Sequence, residues 1–258
     1  MSKRLKRLKG ERLVRVLYRN KSEQHELTVY DTKKLYGEKG QFRVLEFSNA
    51  AVQGAMDLDE PNRMVLEYLR AMVHLMERND PEFDTVFVVG HGIGTLPTYL
   101  SDRQVKVAEL DAEVVELSQT FFGYEGSPVL IGDGRELLGQ EPAATYDYII
   151  IDAFTATGTP EQFISSDFFA MVKDKLDSDG AVILNVFGRA GNDRLVNAIY
   201  TTLQAQFAYT RAFALPTETA DEVQNRILMG SHHPIEFQVR HMAGFVEQEP
   251  EEGYIIVD

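Results

Sequence analysis

Cysteine is absent from the 258 residues, which excludes a disulfide framework, a thiol nucleophile and a thiolate zinc site. No apolar run approaches the roughly 18 residues of a membrane span. The basic start is not followed by the apolar stretch of a secretory signal, so we expect a cytoplasmic protein without a membrane partner. Internal repeats, low-complexity tracts and long linkers are missing too. Basic charge is scarce outside the first residues. Met1–Arg15 holds seven Lys/Arg against one Glu, leaving 19 basic and 39 acidic side chains over the other 243 residues. An acidic body repels nucleic acid and concentrates cations, so a small cationic amine is the expected partner, although acidity also serves solubility. The basic arm reads as a solvated terminus, with RNA or acidic lipid as its other possible contact.

What is present suffices for one large core, or one core and a small appendage, at 44% hydrophobic content. Leu13–Tyr18, Glu26–Tyr30, Phe42–Phe47 and Ala55–Leu58 are β-formers separated by turn residues, which implies a small antiparallel sheet. Pro61 suits a first helical turn, and Met64, Leu66, Tyr68, Leu69, Met72, Val73 and Met76 recur at near-helical spacing, predicting a helix from about Pro61 to Glu77. From Thr85 strands and helices alternate. Strands are expected at Thr85–Val89, Val105–Leu110, Val129–Ile131, Tyr148–Ile151, Ala181–Val186, Tyr209–Leu215 and Arg226–Met229. Helices are expected at Ala112–Phe122, Arg135–Leu138, Ser166–Leu176 (capped by Ser165 or Ser166) and Asp193–Phe207. Such alternation means an α/β fold, a doubly wound, mostly parallel sheet. We divide the chain into a basic arm with a β-rich domain, residues 1–59, and a Rossmann-like nucleoside-binding catalytic domain, residues 60–258. The tail after Gly230 carries no readable pattern.

Parallel sheets bind ligands at the carboxyl ends of their strands, and there this chain places Gly90-His-Gly-Ile-Gly94, Glu109, Gly132-Asp133-Gly134 and Asp152. The dinucleotide fingerprint needs a third glycine where Thr95 stands. Glycines at 90, 92 and 94 instead suit a backbone brought up to the ribose and side chain of an S-adenosylmethionine-type nucleoside. Asp152 follows the run Ile149–Ile151, which only a buried central strand explains, so its carboxylate belongs to the crevice floor.

Val86–Gly94, Val107–Leu117, Ile131–Leu137 and Tyr146–Asp152 resemble the successive motifs of the spermidine synthase family. Gln41–Phe47 with Met56–Asp59 resembles its N-terminal sheet, Tyr68–His74 its first helix, and Ser166–Lys173 the helix after its active-site loop. The resemblance implies a class I S-adenosylmethionine-dependent transferase fold, an aminopropyltransferase using decarboxylated S-adenosylmethionine and an amine, no metal, and a homodimer or larger homo-oligomer. It makes Glu109 the ligand of the ribose hydroxyls, Asp133 the acceptor of the adenine amino group beside Gly134, and Asp152 the acid that orients the amine and receives its proton. Gln41 matches a position near the nucleoside tail and Tyr68 one near the amine. Each also has a plainer reading: Glu109 as an acid at a helix start, Asp133 as a turn residue, Gln41 and Tyr68 as sheet and core residues.

Departures from the family pattern concern amine contacts. The acid that grips the cofactor's aminopropyl amine falls on Ile93, the second acid of the active-site loop on Thr155, the polar residue after the helix tyrosine on Leu69, and a late tyrosine on Glu218. We keep Thr155 and Glu218 as substrate-side positions. Two other functions stay open: an S-adenosylmethionine-dependent methyl or alkyl transferase, and a catalytically silent nucleoside-binding protein. Against the first, methyltransferases carry an acid two residues before the first turn glycine, where this chain has Val88.

Overall fold

The computed structural model of the chain describes residues 6–8, 12–21, 26–47, 52–154 and 158–258. Most of the basic arm, and Thr155, lie outside the described residues. Contacts divide the chain into two compact units: Met1–Leu66 with Gly92–Tyr99 and Ala112–Gly126, and Glu67–His91 with Leu100–Asp111 and Ser127–Asp258.

The first unit holds an antiparallel sheet in sequential order, β1 (Lys6–Leu8), β2 (Arg12–Lys21), β3 (Glu26–Leu35), β4 (Glu38–Phe47) and β5 (Val52–Asp57). The helix expected from Pro61 is a correction: α1 runs over Glu67–Asn79 and lies in the second unit. Asp57 decides this. Its Oδ1 accepts the backbone N–H groups of Asp59 (2.9 Å) and Glu60 (3.3 Å), and its Oδ2 holds Arg63 Nε at 3.1 Å. An aspartate that binds the amides two and three residues on offers the backbone a turn in place of a helix. Met64 then forms a β-bridge with Met56, so its apolar side chain serves the sheet.

Two helices belong to this unit, the unforeseen α2 (Thr95–Tyr99) and α3 (Ala112–Phe122). The apolar stripe Val114, Leu117 and Phe122 of α3 shares a core with Leu27, Val29, Leu45 and Ile93. Arg43 Nη1 donates to the Phe121 carbonyl at 2.8 Å, satisfying one of the acceptors that a helix C-terminus leaves open. Gly94 has φ +81° and faces the Tyr124 ring so closely that a Cβ would stand 2.4 Å from it.

The second unit holds eight strands in the order β13 (Val246–Gln248), β11 (Tyr209–Ala214), β12 (Val223–Ser231), β10 (Leu176–Arg189), β9 (Tyr146–Ile151), β6 (Thr85–Val89), β7 (Gln104–Glu109), β8 (Leu130–Ile131). Strands β10, β9, β6, β7 and β8 are mutually parallel, and β12, β11 and β13 follow with each pair antiparallel, bearing out the mostly parallel sheet. Chain order reverses between β6 and β9, and beside that point such sheets bind ligands. Ile149, Ile151, Val182, Leu184 and Val186 face a core shared with Leu138 of α4 (Gly134–Gly139), Phe168, Phe169 and Val172 of α5 (Ser166–Lys175), and Val196, Ile199 and Leu203 of α6 (Arg194–Gln204). The alternate face carries Tyr148, whose hydroxyl donates to the Met76 carbonyl of α1 at 3.0 Å, so helices cover both faces.

Ser165 is the cap of α5, accepting from Phe168 N, and Asp193 caps α6. The tail after Gly230 also has an order: Val246–Gln248 pairs with β11, and Gly253 N and Ile256 N donate to Thr201 and Thr202 of α6 at 2.8 and 2.9 Å. Among the described residues no helix is long and apolar enough to cross a membrane.

Ile93 is 7% exposed within the first unit's core, so a carboxylate there loses its hydration without a partner. Ile93→Asp should lower unfolding free energy in urea by more than about 3 kcal/mol, against about 1 kcal/mol for Ile93→Val. Equal stability of the two variants would contradict the core assignment.

Candidate active site

In the second unit three carboxylates stand at the carboxyl ends of neighbouring strands, and each is held by defined donors. Glu109 ends β7. Its Oε2 accepts the backbone N–H of His91 at 2.9 Å and its Oε1 that of Asp111 at 3.0 Å. Burial pushes the carboxyl up, and those two amides pull it down. The His91 ring is nearly enclosed, and burial pushes its pKa down to about 4, so the imidazole is neutral at pH 7.

Asp133 precedes α4 and caps it, Oδ1 accepting from Arg135 N (2.8 Å) and Glu136 N (3.3 Å), while Oδ2 accepts from Gln162 Nε2 at 2.7 Å. An ionised carboxylate has about four acceptor positions, so capping leaves capacity for a ligand. Gly134 is buried where a Cβ would lie 2.5 Å from Val89 Cγ1, which gives that glycine a packing role. Gln162 had no sequence signal, because the loop before α5 shows no period.

Asp152 leaves β9 at the switch point. Its N–H donates to the Val89 carbonyl at 2.8 Å, and the Asp152 carbonyl passes so close to Gly90 (φ +100°) that a Cβ there would sit 2.1 Å from it. The side chain is clasped on both oxygens: Tyr68 Oη donates to Oδ2 at 3.0 Å and Asn185 Nδ2 to Oδ1 at 2.9 Å. Asn225 Nδ2 in turn donates to Asn185 Oδ1 at 2.8 Å. Burial pushes the Asp152 carboxyl above its ordinary 3.8, opposed by Asn185 and Tyr68. Asn185 and Asn225 were not among the expected site residues, though an amide inside Ala181–Val186 is a signal, since a buried polar side chain needs a partner.

The second unit therefore brings together Gly90, Glu109, Asp133, Gly134, Asp152 and Tyr68. Gln41, Gly92 and Gly94 belong to the first unit, where exposed Gln41 reaches Asp59 Oδ1 at 3.4 Å. Glu218 is exposed in the β11–β12 connection, and Leu69 is buried. The arrangement can accept hydroxyl and amine protons at fixed points along a strand-end crevice. Leu110, next to Glu109, and Ile131, two residues before Asp133, are apolar yet exposed.

The family model for the spermine/spermidine synthase domain matches residues 65–239. A polyamine aminopropyltransferase of Neisseria meningitidis is 26% identical over 195 residues, 72% of this chain and 72% of its own. Among solved structures, a probable spermidine synthase from Corynebacterium glutamicum is similar at TM-score 0.71 and 22% identity, covering 84% of this chain and 80% of that one. A spermidine synthase in complex with the transition-state analogue AdoDATO is similar at TM-score 0.66 and 17% identity, covering 94% and 83%.

A carboxyl whose pKa in the fold lies above its unfolded value favours the fold fully below the unfolded value, and that contribution is lost as pH rises through the folded one. Asp152 is such a group. Asp152→Asn keeps the shape, and the Tyr68 hydroxyl can turn to accept from the new amide. The variant should melt higher than wild type near pH 7, with the difference shrinking as pH falls toward 3.8. A lower melting temperature at pH 7 would show that the ionised acid is a net stabiliser.

Proposed function

The chain belongs to the spermine/spermidine synthase family, and from that premise we propose that it transfers the aminopropyl group of decarboxylated S-adenosylmethionine to a small cationic amine. The observation that carries this reading is Asp152, a sheltered carboxylate at the switch point with one oxygen held by Tyr68 and the other by Asn185. Glu109 accepts from the ribose hydroxyls of the nucleoside. Asp133 accepts from the adenine amino group beside Gly134, with Leu110 and Ile131 against the base. Gly90, Gly92, Gly94 and Gln41 serve the nucleoside side, and Thr155 and Glu218 remain substrate-side positions. Residues 1–59 form the accessory β-rich part and 60–258 the catalytic part. We place the enzyme in the cytoplasm as a homodimer or larger assembly without nucleic-acid partners.

The chemistry is an in-line displacement. The amine nitrogen forms a bond to the aminopropyl carbon, the bond from that carbon to sulfur breaks, and neutral methylthioadenosine leaves. An alkylammonium has a pKa of about 10 and a free aspartate about 3.9, so direct deprotonation is uphill. Burial of Asp152 narrows that gap. The carboxylate orients the ammonium, accepts its proton as the nitrogen commits, and passes it to water, while most of the acceleration comes from positioning.

Ile93 favours a second reading, S-adenosylmethionine-dependent methyl or alkyl transfer, since a side chain committed to an apolar core demands no amine on the cofactor. Calorimetric titration with decarboxylated S-adenosylmethionine, S-adenosylmethionine and methylthioadenosine separates them: preference for the decarboxylated form supports aminopropyl transfer, and preference for the carboxylated form supports the second reading.

Glu109→Gln should weaken methylthioadenosine binding by roughly 1–3 kcal/mol, the scale of a charge-assisted hydrogen bond, with an unchanged circular dichroism spectrum. Unchanged affinity would remove Glu109 from the site. Asp152→Asn should lower kcat by about two to four orders of magnitude while methylthioadenosine affinity stays within about threefold. Turnover within a few-fold of wild type would end the proposed role of Asp152.

A further inference from the structure

Beside the clasped acid lies an aromatic pair that the transfer chemistry does not use. Phe154 follows Asp152 by two residues, and Phe187 follows Asn185 by two on β10. Alternation along a strand puts Asn185 and Phe187 on one face of the sheet, about 7 Å apart along the strand toward its carboxyl end. The two rings meet with centroids 4.5 Å apart at 53°, and both are half-buried. They form a wall next to the amide that holds Asp152 Oδ1 at 2.9 Å.

The segment that follows Asp152 offers no carboxylate to a second ammonium, and of the substrate-side positions only Glu218, exposed in the β11–β12 connection, is an acid. Residues 153–160 contain no Asp or Glu, and the first acid after them, Glu161, is exposed. Among the described residues, the Asp152 carboxylate and the amide behind it bond a phenol and two neutral amides. An α,ω-diamine laid along this wall brings a charge out of water against ring faces, which return only part of its hydration. An alkyl or aryl body loses no such hydration and gains from leaving water.

We propose that the acceptor is a monoamine: a primary amine on an apolar alkyl or aryl body, with its nitrogen at Asp152 and its body against Phe154 and Phe187. This rests on the transferase reading for the reaction itself. The nitrogen would displace methylthioadenosine from the aminopropyl carbon, one proton would go to water through Asp152, and the product would be an N-substituted 1,3-diaminopropane.

The test is equilibrium titration of phenethylamine, n-butylamine and putrescine into protein saturated with methylthioadenosine, paired with mass-detected transfer from decarboxylated S-adenosylmethionine. The two monoamines should bind at least tenfold more tightly than putrescine. Phe187→Leu and Phe154→Leu, checked for folding by circular dichroism, should each weaken phenethylamine about fivefold or more and leave methylthioadenosine affinity within twofold; one folded variant suffices. Putrescine binding as tightly as the monoamines, no amine binding at all, or folded variants that keep full phenethylamine affinity would each overturn the proposal. Failure of the transferase reading looks different: the monoamine preference in binding would stand while no amine gained an aminopropyl group. Faster aminopropylation of putrescine than of the monoamines would overturn the proposal and leave the transferase reading intact.

Discussion

The close backbone approach at Gly90 is the constraint on which the strand-end acids depend. Strands β6 and β9 are in register from Val86↔Tyr148 to Val89↔Ile151, and the Asp152 N–H closes the pairing on the Val89 carbonyl. At the next residue the Asp152 carbonyl occupies the space that any Cβ at position 90 would need. With glycine there the chain turns away at φ +100°, its own N–H bonding the Ala108 carbonyl of β7 at 2.8 Å. The next amide, that of His91, then points at Glu109. One missing methyl group thus ties three strand ends together, and a larger residue would separate β6 from β9 at their carboxyl ends.

Holding Asp152 in this position opposes stability. A sheltered carboxylate loses hydration, and among the described residues the donors that compensate it, Tyr68 and Asn185, are neutral. The amide chain behind it carries no charge that could neutralise it. Asn225 orients Asn185, so Asn185 offers its NH2 group to the acid instead of its carbonyl. That orientation suits an acceptor-only, ionised carboxylate, while burial favours the protonated form. In the proposed reaction that tension would suit a group that takes up a proton, and an arriving ammonium would relieve it.

Much of this was legible because strand ends and chemistry coincide. Runs such as Val86–Val89 and Ile149–Ile151 are apolar throughout, as strands covered on both faces must be, so the glycine turn after the first and the acid after the second had to stand at strand ends. Helix α3 was legible to its residue boundaries because its apolar stripe has the helical period. The helix expected at Pro61 failed because Met64 and Leu66 mimic that period while Asp57, several residues upstream, captures the amides that a helix would use. Asn185, Asn225 and Gln162 are long-range partners whose pairing depends on strand order and loop path, which no local pattern encodes. The tail was unreadable for the same reason: its bonds go to hydroxyls of α6.

The family's missing acids are replacements as well as losses. Ile93 is a member of a seven-residue core cluster, and an acid at that position would have to be buried among Leu27, Val29 and Leu45. Its identity is therefore coupled to the packing of the N-terminal sheet, and no single substitution restores the family pattern without disturbing that core. On the proposed acceptor side, the paired rings of Phe154 and Phe187 would supply apolar area in place of a carboxylate. Both changes run in one direction, from charge recognition toward apolar burial. They leave intact Glu109, Asp133 and Asp152, the acids whose proposed work is to hold the nucleoside and to receive one proton, so under the proposed reading the loss would fall on selectivity among amines and would spare the displacement itself.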